Sequence, residues 1–150
     1  MASKFVKFAP IVLIILLALF LRFYNLERKA SFDADQEEIA GRAKEFLSGN
    51  PVLLGPKTSL GGFSIGPGFT YLWGLSSIIT KGDPIAGHFT SVFLGVSFIF
   101  LIYFFTRNIF SEKTALILSF LSAISVSLIF WDQSPWAPSL FYFAEFLVLY

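Results

Sequence analysis

Long apolar runs separated by one extended polar stretch define the pattern of this chain. The first run is apolar from Phe8 to Leu21, and apolar residues continue it to Leu26 beyond a single Arg22. A helix needs roughly 20 apolar residues to cross a bilayer, so the pattern predicts an all-α integral membrane protein. The predicted spans cover residues 8–26, 88–105, 115–131 and 139–150.

The fourth run is too short to be a complete span. At about 1.5 Å per residue it does not cross about 30 Å of hydrocarbon. We therefore expect the chain to be the N-terminal piece of a longer protein, truncated within this span and inactive by itself.

The start of the chain resembles a cleavable signal peptide, because Lys4 and Lys7 precede an apolar run. The small-residue cleavage pattern is missing, so we predict an uncleaved anchor. Arg22 lies near the end of this anchor, where its long side chain is expected to snorkel to the headgroups.

Residues 27–84 form a polar loop that is expected to contain short helices. In the segment DADQEEIAGRAKEFLSGN, Asp33 is placed as an N-cap and Gly49 as a stop. One face of this predicted helix is apolar, which favours an amphipathic helix on the membrane surface. That face comprises Ile39, Ala43, Phe46 and Leu47.

A second helix is predicted to begin near Pro67, which suits the first turn of a helix. This helix is too short to span comfortably, so it is expected to be re-entrant or packed against the bundle. Small residues lie in a stripe on the next span and three apart on the one after it, and such spacing lets helices approach closely. They are Gly87, Ser91 and Gly95, then Ser119 and Ser122.

Composition and charge narrow the class further. Hydrophobic residues make up 55% of the 150 positions and charged residues 14%, whereas globular domains average about 45–50% and about 25%. The net charge of +1 gives no basic stripe to neutralise phosphates, so nucleic acid is excluded as a partner. Cysteine is absent, which rules out a disulfide framework and a thiolate metal site in this chain.

Short basic segments predict the orientation. Lys4 and Lys7 precede the first span, and Arg107 and Lys113 lie between the second and third; such segments belong in the cytoplasm. The loop at 27–84 is then outside, on the same face as the connection WDQSPWAP. Two outward loops that face each other could form a site.

The segment SFDADQEE contains the highest density of candidate functional residues. Its carboxylates are Asp33, Asp35, Glu37 and Glu38. A carboxylate at the lipid boundary is able to act as a general base on a hydroxyl acceptor, and an Asp-x-Asp pair is able to hold a hard divalent ion. The alternative is that these acids cap the helix and face solvent, as first-turn acids commonly do. From spacing alone the alternative is favoured.

Four further polar residues have a functional and an ordinary interpretation. Glu145 lies inside an apolar run, where acids often face a cavity or partner, or it lies near the interface. His88 is expected to be interfacial rather than a ligand. Asp132 is either interfacial or an acid of the site, and Lys57 is either solvated or paired with a lipid phosphate.

The order of three segments resembles a known family. These are LRFYNL at the end of the first span, the loop from SFDADQEE through GPKTS to GPGFTYL, and GDPIAGHFTSVFLG opening the second span. They are similar to the N-terminal region of bacterial family 39-type integral membrane glycosyltransferases. That clan includes the dolichyl-phosphate-mannose protein mannosyltransferases and the lipid A aminoarabinose transferase.

The resemblance implies a GT-C fold: a multi-span helical bundle in the bacterial inner (plasma) membrane, with membrane-parallel helices in a large outer first loop. It implies inverting transfer of a sugar from a polyprenyl-phosphate donor to a lipid, glycan or protein acceptor of the cell envelope. Asp35 aligns with the loop acid that acts as base. Asp33, Gln36 and Glu37 are candidates for orienting the acceptor or holding a metal, and Lys57 and Glu145 for contacts with the donor or a partner.

Two departures from the family pattern limit this interpretation. Gln36 stands where the commonest pattern has Glu, and Ala137 stands where many members carry a second acid. The sequence assigns no cofactor with certainty, and a divalent cation, Mg²⁺ or Mn²⁺, remains open. The main alternative is a non-enzymatic transporter or flippase-like protein, which broken helices or an internal repeat would favour, and the sequence displays neither. A silent scaffold with a glycosyltransferase-like fold is a third.

Overall fold

The structure, a computed structural model, describes residues 2–58 and 61–148, with side chains from Phe8 onward. The side chains of Lys4 and Lys7 and the last two residues of the predicted fourth span therefore lie outside the described residues. The regular elements within the described ranges are all helices, which confirms the all-α prediction. They are α1 (Ala2–Phe23), α2 (Leu26–Lys29), α3 (Ala34–Leu47), α4 (Gly68–Ile79), α5 (Ala86–Ile109), α6 (Glu112–Ile124), α7 (Val126–Asp132) and α8 (Ser139–Val148).

A bundle of α1, α5 and α6 forms one layer of the molecule. Its core combines Ala18 from α1, Val92 and Ile99 from α5, and Ala123 from α6. Small residues allow close approach here: Ser91 on α5 and Ser119 on α6 are fully buried. Apolar side chains on the outer faces are exposed, as Leu13 and Phe20 illustrate, and lipid would cover such faces in a membrane protein.

The helix α5 is the one described helix that is long and apolar enough to cross a membrane by itself. Its 24 residues extend about 36 Å at about 1.5 Å per residue, beyond the predicted residues 88–105 at both ends. The apolar segments Phe8–Phe23 and Ser139–Val148 are shorter. The four predicted spans therefore remain a prediction.

The first helix ends earlier than the sequence pattern predicts. It stops at Phe23 rather than at residue 26, because Asn25 adopts a left-handed conformation with φ 57°. Asparagine tolerates this conformation better than most residues. Leu26 then begins the short helix α2 and is buried against the bundle.

The loop helix α3 packs on α4, and α4 in turn packs on α5. Asp33 caps α3 by accepting a hydrogen bond from the Gln36 amide, and Gly49 follows the helix with φ 87°, as predicted. Ile39 and Ala43 are buried against Phe69 and Trp73 of α4. Protein rather than lipid therefore covers the buried part of this apolar face.

Pro67 immediately precedes α4, which starts at Gly68. Of the two alternatives for this helix, packing against the bundle is what the structure contains. A Cβ on Gly87 of α5 would overlap with the ring of Trp73, so only glycine permits this approach of α4 to α5.

Candidate functional site

Arg22, at the end of α1, is completely buried and is held by several acceptors. Its Nε donates to Oδ2 of Asp132 at 2.7 Å. Its Nη1 donates to the carbonyls of Ala123 at 3.1 Å and Ala18 at 3.4 Å, and its Nη2 to that of Ser122 at 3.4 Å. The expectation that Arg22 snorkels to the headgroups is wrong, because a carboxylate and three carbonyls within the protein satisfy the guanidinium.

The third predicted span is broken into two helices, α6 and α7, and Arg22 contacts both of them. The pattern predicts one continuous span at residues 115–131, but the chain bends by 63° between α6 and α7. Ser125 lies in the break with extended backbone. The last carbonyls of a helix have no intrahelical partner, and Arg22 donates to two of them, those of Ser122 and Ala123. The ion pair with Asp132 links α1 to the other side of the bend.

Gly95 of α5 makes room for this ion pair. A Cβ at this position would overlap with the carboxylate of Asp132. The predicted role of the small-residue stripe in close helix approach is confirmed at this contact. A glycine in the middle of a helix costs about 0.5–1 kcal/mol relative to alanine, which the contact must offset.

Gln133 continues the polar contacts beyond the end of α7. Its side chain is 6% exposed; Nε2 donates to the carbonyl of Arg22 at 2.8 Å, and Oε1 accepts from Nζ of Lys29 at 2.9 Å. Through these bonds the connection after α7 is tied to the end of α1 and to α2. The structure therefore joins the beginning of the loop at 27–84 to the WDQSPWAP connection.

His88 closes this group of contacts at the start of α5. It is 3% exposed, and its Nδ1 and Nε2 lie 2.7 Å and 3.2 Å from the carbonyl oxygens of Gln133 and Ser31. Both partners are carbonyl acceptors, and which ring nitrogen donates depends on the tautomer. The expectation of an interfacial His88 is wrong. We refer to Arg22, His88, Asp132 and Gln133 as the polar junction.

A cavity of about 300 Å³ lies beside the polar junction, between α5, α7 and α8. Arg22 and Asp132 contribute to its wall, and the remaining surface is largely apolar and aromatic. The aromatic residues are Phe98, Trp131, Tyr142 and Phe143. Hydrophobic walls with a few polar groups are typical of ligand sites.

The predicted catalytic residue lies elsewhere, in the first turn of α3. Asp35 and Glu37 are exposed, whereas Gln36 is 7% exposed and its Oε1 has no hydrogen-bond partner in the described part of the chain. Asp33 accepts the amide hydrogen bond of Gln36 at 3.0 Å, so capping is confirmed for Asp33. Glu38 pairs with Arg42 at 2.7 Å.

The other two predicted contact residues are separate from this turn. Lys57 is exposed and lies in an isolated antiparallel bridge with Ser64. Glu145 is exposed on α8. The side chains of Lys57 and Glu145 form no hydrogen bond or ion pair with any described residue, and neither residue lines the cavity.

The described residues do not assemble a ligand set for a metal ion. Within residues 2–58 and 61–148, no group of three or more His, Asp or Glu side chains is close enough to hold one. One oxygen of Asp33 is also used in capping α3. The predicted Asp-x-Asp pair therefore contributes two carboxylates from one exposed turn without a third ligand.

Sequence reasoning missed most of the polar junction. Arg22 and Asp132 are separated by 110 positions, and each one at the end of an apolar run has an ordinary interfacial interpretation. The sequence signal that could have indicated this pair was one charge of each sign at the ends of two predicted spans.

No family model, curated protein or solved structure matches this chain.

Proposed function

We propose that this chain is part of a multi-span membrane glycosyltransferase with a GT-C-like fold. It transfers a sugar from a polyprenyl-phosphate donor to a hydroxyl acceptor of the cell envelope, with Asp35 as the base. The observation that supports this most directly is the setting of Asp35: its carboxylate is exposed, while its helix is anchored by a cap at Asp33 and by buried Ile39 and Ala43. A base needs access to its substrate together with a fixed position.

The comparison with Asp132 favours Asp35 as the base. Asp132 is bonded to the buried Arg22 and fills the space above Gly95, so a proton transferred to it would disrupt a buried ion pair. Asp35 carries no such bond within the described residues. Its carboxylate is therefore available to a substrate that approaches from the polar side.

The proposed reaction moves one proton and exchanges one bond. Asp35 accepts the proton of the acceptor hydroxyl, and the acceptor oxygen attacks the anomeric carbon of the donor sugar. The bond from that carbon to the phosphate oxygen breaks on the opposite face, and its electron pair leaves with the polyprenyl phosphate, so the configuration inverts. Arg22 does not serve the leaving phosphate, because its donors already bind Asp132 and three carbonyls.

The test compares two carboxylates of the same helix in membranes that contain the full-length protein. Asp35→Asn should lower kcat/KM for sugar transfer by about 10²–10⁴-fold, the usual contribution of a general base. Glu45→Gln, an exposed acid near the other end of α3, should leave transfer unchanged. Undiminished transfer by Asp35→Asn, with normal insertion of both variants, would remove Asp35 from the mechanism.

The second candidate is a transporter or flippase-like protein, and the break at Ser125 favours it. Broken helices with buried polar groups are typical of transporter sites, and here the 63° bend lies beside a buried ion pair. The discriminating measurement uses liposomes with a fluorescent polyprenyl-phosphate sugar. Movement of the lipid across the bilayer without any glycosylated product would favour the transporter, whereas product formation favours the transferase.

The proposed orientation places the N-terminus in the cytoplasm and the loop at 27–84 outside. This chain contains no cysteine, so single-cysteine variants report each side without background from it. Lys57→Cys should react with an impermeant maleimide added outside intact cells. Lys113→Cys should react only after the membrane is permeabilised. The reverse pattern would contradict the orientation.

A further inference from the structure

The cavity beside the polar junction contains a charged pair whose net charge is zero. Arg22 contributes one positive charge and Asp132 one negative charge, with 2.7 Å between Nε and Oδ2. An anion or a cation that enters the cavity would therefore meet a dipole rather than a net countercharge. Since burying a charge without a partner is costly, the site disfavours ionised ligands.

Arg22 has little capacity left for a ligand. Four hydrogen bonds engage Nε, Nη1 and Nη2 of its guanidinium, and the side chain is fully buried. A phosphate would have to displace Asp132 from it. The cavity is therefore unsuited to an anionic headgroup, although an arginine lines it.

Asp132 does have capacity left. A carboxylate offers about four lone-pair positions, and Arg22 uses one of them, on Oδ2. Within the described residues, Oδ1 accepts no hydrogen bond. The side chain of Asp132 is 17% exposed and lines the cavity. This oxygen is a strong acceptor that lacks a donor.

The walls around this acceptor suit a ring with apolar faces. Trp131 and Tyr142 contribute aromatic surface, and Ser127 and Ser139 contribute hydroxyl groups. The volume of about 300 Å³ lies at the lower end of the range of about 300–1,000 Å³ for ligand pockets. A single ring with a short apolar tail suits such a space better than an oligosaccharide.

We propose that this cavity binds the neutral, hydroxyl-bearing headgroup of an amphiphile, such as one sugar ring, with a hydroxyl donating to Oδ1 of Asp132. The aromatic walls cover the ring and the start of the alkyl chain. This site is separate from Asp35, and the proposal requires no sugar transfer. It therefore stands or fails independently of the proposed function.

The test uses octyl β-glucoside with a diazirine in its alkyl chain, added to the full-length protein in lipid nanodiscs. After photolysis, mass spectrometry should locate the label on peptides from α7 and α8. Unlabelled octyl glucoside should compete at about tenfold lower concentration than 1-methoxyoctane, which has no hydroxyl donor, octyl phosphate or octyltrimethylammonium, because hydroxyl bonds to a charged acceptor are worth about a factor of ten or more.

Two serine variants provide a matched control. Substituting Asp132 itself would leave Arg22 unpaired and is unsuitable, so Ser127→Leu is used to fill the cavity. Ser97→Leu makes the same change at another exposed serine that does not line this cavity. Labelling should fall about tenfold in Ser127→Leu and remain unchanged in Ser97→Leu.

Three results would overturn the proposal. Equal labelling of Ser127→Leu and wild type would place the ligand elsewhere. Competition by octyl phosphate or octyltrimethylammonium as strong as by the glucoside would mean that the site accepts charged headgroups. Equal competition by 1-methoxyoctane, which cannot donate a hydrogen bond, would indicate a groove for alkyl chains without headgroup recognition.

Discussion

The polar junction and the first turn of α3 use charge in opposite ways. In the junction, Arg22 and Asp132 come from the ends of distant apolar runs and form a buried ion pair. In the first turn of α3, Asp35 and Glu37 are neighbours in sequence, yet both remain exposed. Residues that bond to each other become structural, whereas exposed ones remain available to a ligand. The density of acids in a sequence therefore does not show where buried polar contacts form.

Arg22→Met should cause the largest loss of stability among the variants that test this comparison. It leaves Asp132 buried without a counter-ion and removes donors from the helix break, which should lower the free energy of unfolding by about 3–5 kcal/mol. The surface pair of Arg42 with Glu38 is the control, and Arg42→Met should cost at most about 1 kcal/mol. Denaturant unfolding in detergent measures both.

The double variant Arg22→Met with Asp132→Leu extends this test. Replacing both partners of a buried ion pair with apolar residues is often neutral, so the double variant should recover most of the lost stability. A double variant no more stable than Arg22→Met would show that the bonds from Arg22 to the carbonyls matter more than the ion pair.

Gly95→Ala should have the next largest effect. A Cβ there would overlap with the Asp132 carboxylate, and overpacking of this kind costs about 1–3 kcal/mol. Gly41 of α3 has open space around the corresponding position, so Gly41→Ala should be neutral or stabilise by up to about 1 kcal/mol. Thermal unfolding of both variants checks the difference, and equal shifts in Tm would contradict it.

Two buried glutamines sharpen the comparison between the regions. Gln133→Leu leaves the carbonyl of Arg22 without its donor and should cost about 1–2 kcal/mol. Gln36→Leu removes a side chain whose Oε1 has no partner among the described residues, so it should be neutral or slightly stabilising. Denaturant unfolding in detergent measures both free energies of unfolding. A larger loss for Gln36→Leu than for Gln133→Leu would show that the side chain of Gln36, rather than that of Gln133, makes the stabilising contacts.

Asp33→Ala should destabilise the protein less than the variants of the polar junction and of Gly95. Loss of an N-cap costs about 1 kcal/mol, and Asp33→Asn should restore most of it because asparagine caps equally well. If Asp33 only caps α3, sugar transfer by Asp33→Asn should equal that of wild type. A loss of transfer in Asp33→Asn at normal stability would instead give Asp33 a role in catalysis.

Local features of the loop could be predicted because they depend on neighbours in sequence. Asp33 caps α3, Gly49 follows its end with positive φ, and α4 begins directly after Pro67. Caps, stops and helix starts involve bonds within about four residues. Three predictions were wrong: the direction of the Arg22 side chain, the setting of His88 and the continuity of the helix at Ser125. All three involve partners far along the chain.

The sequence by itself determined that the protein is helical, where the loop helices begin, and which glycines allow close packing. Only the tertiary structure decided that Arg22 pairs with Asp132, that His88 bonds to Gln133 and Ser31, and that a cavity opens beside them. Hydrophobic period and capping are short-range properties. A buried charge, by contrast, is stable only where packing brings a partner of opposite sign to it.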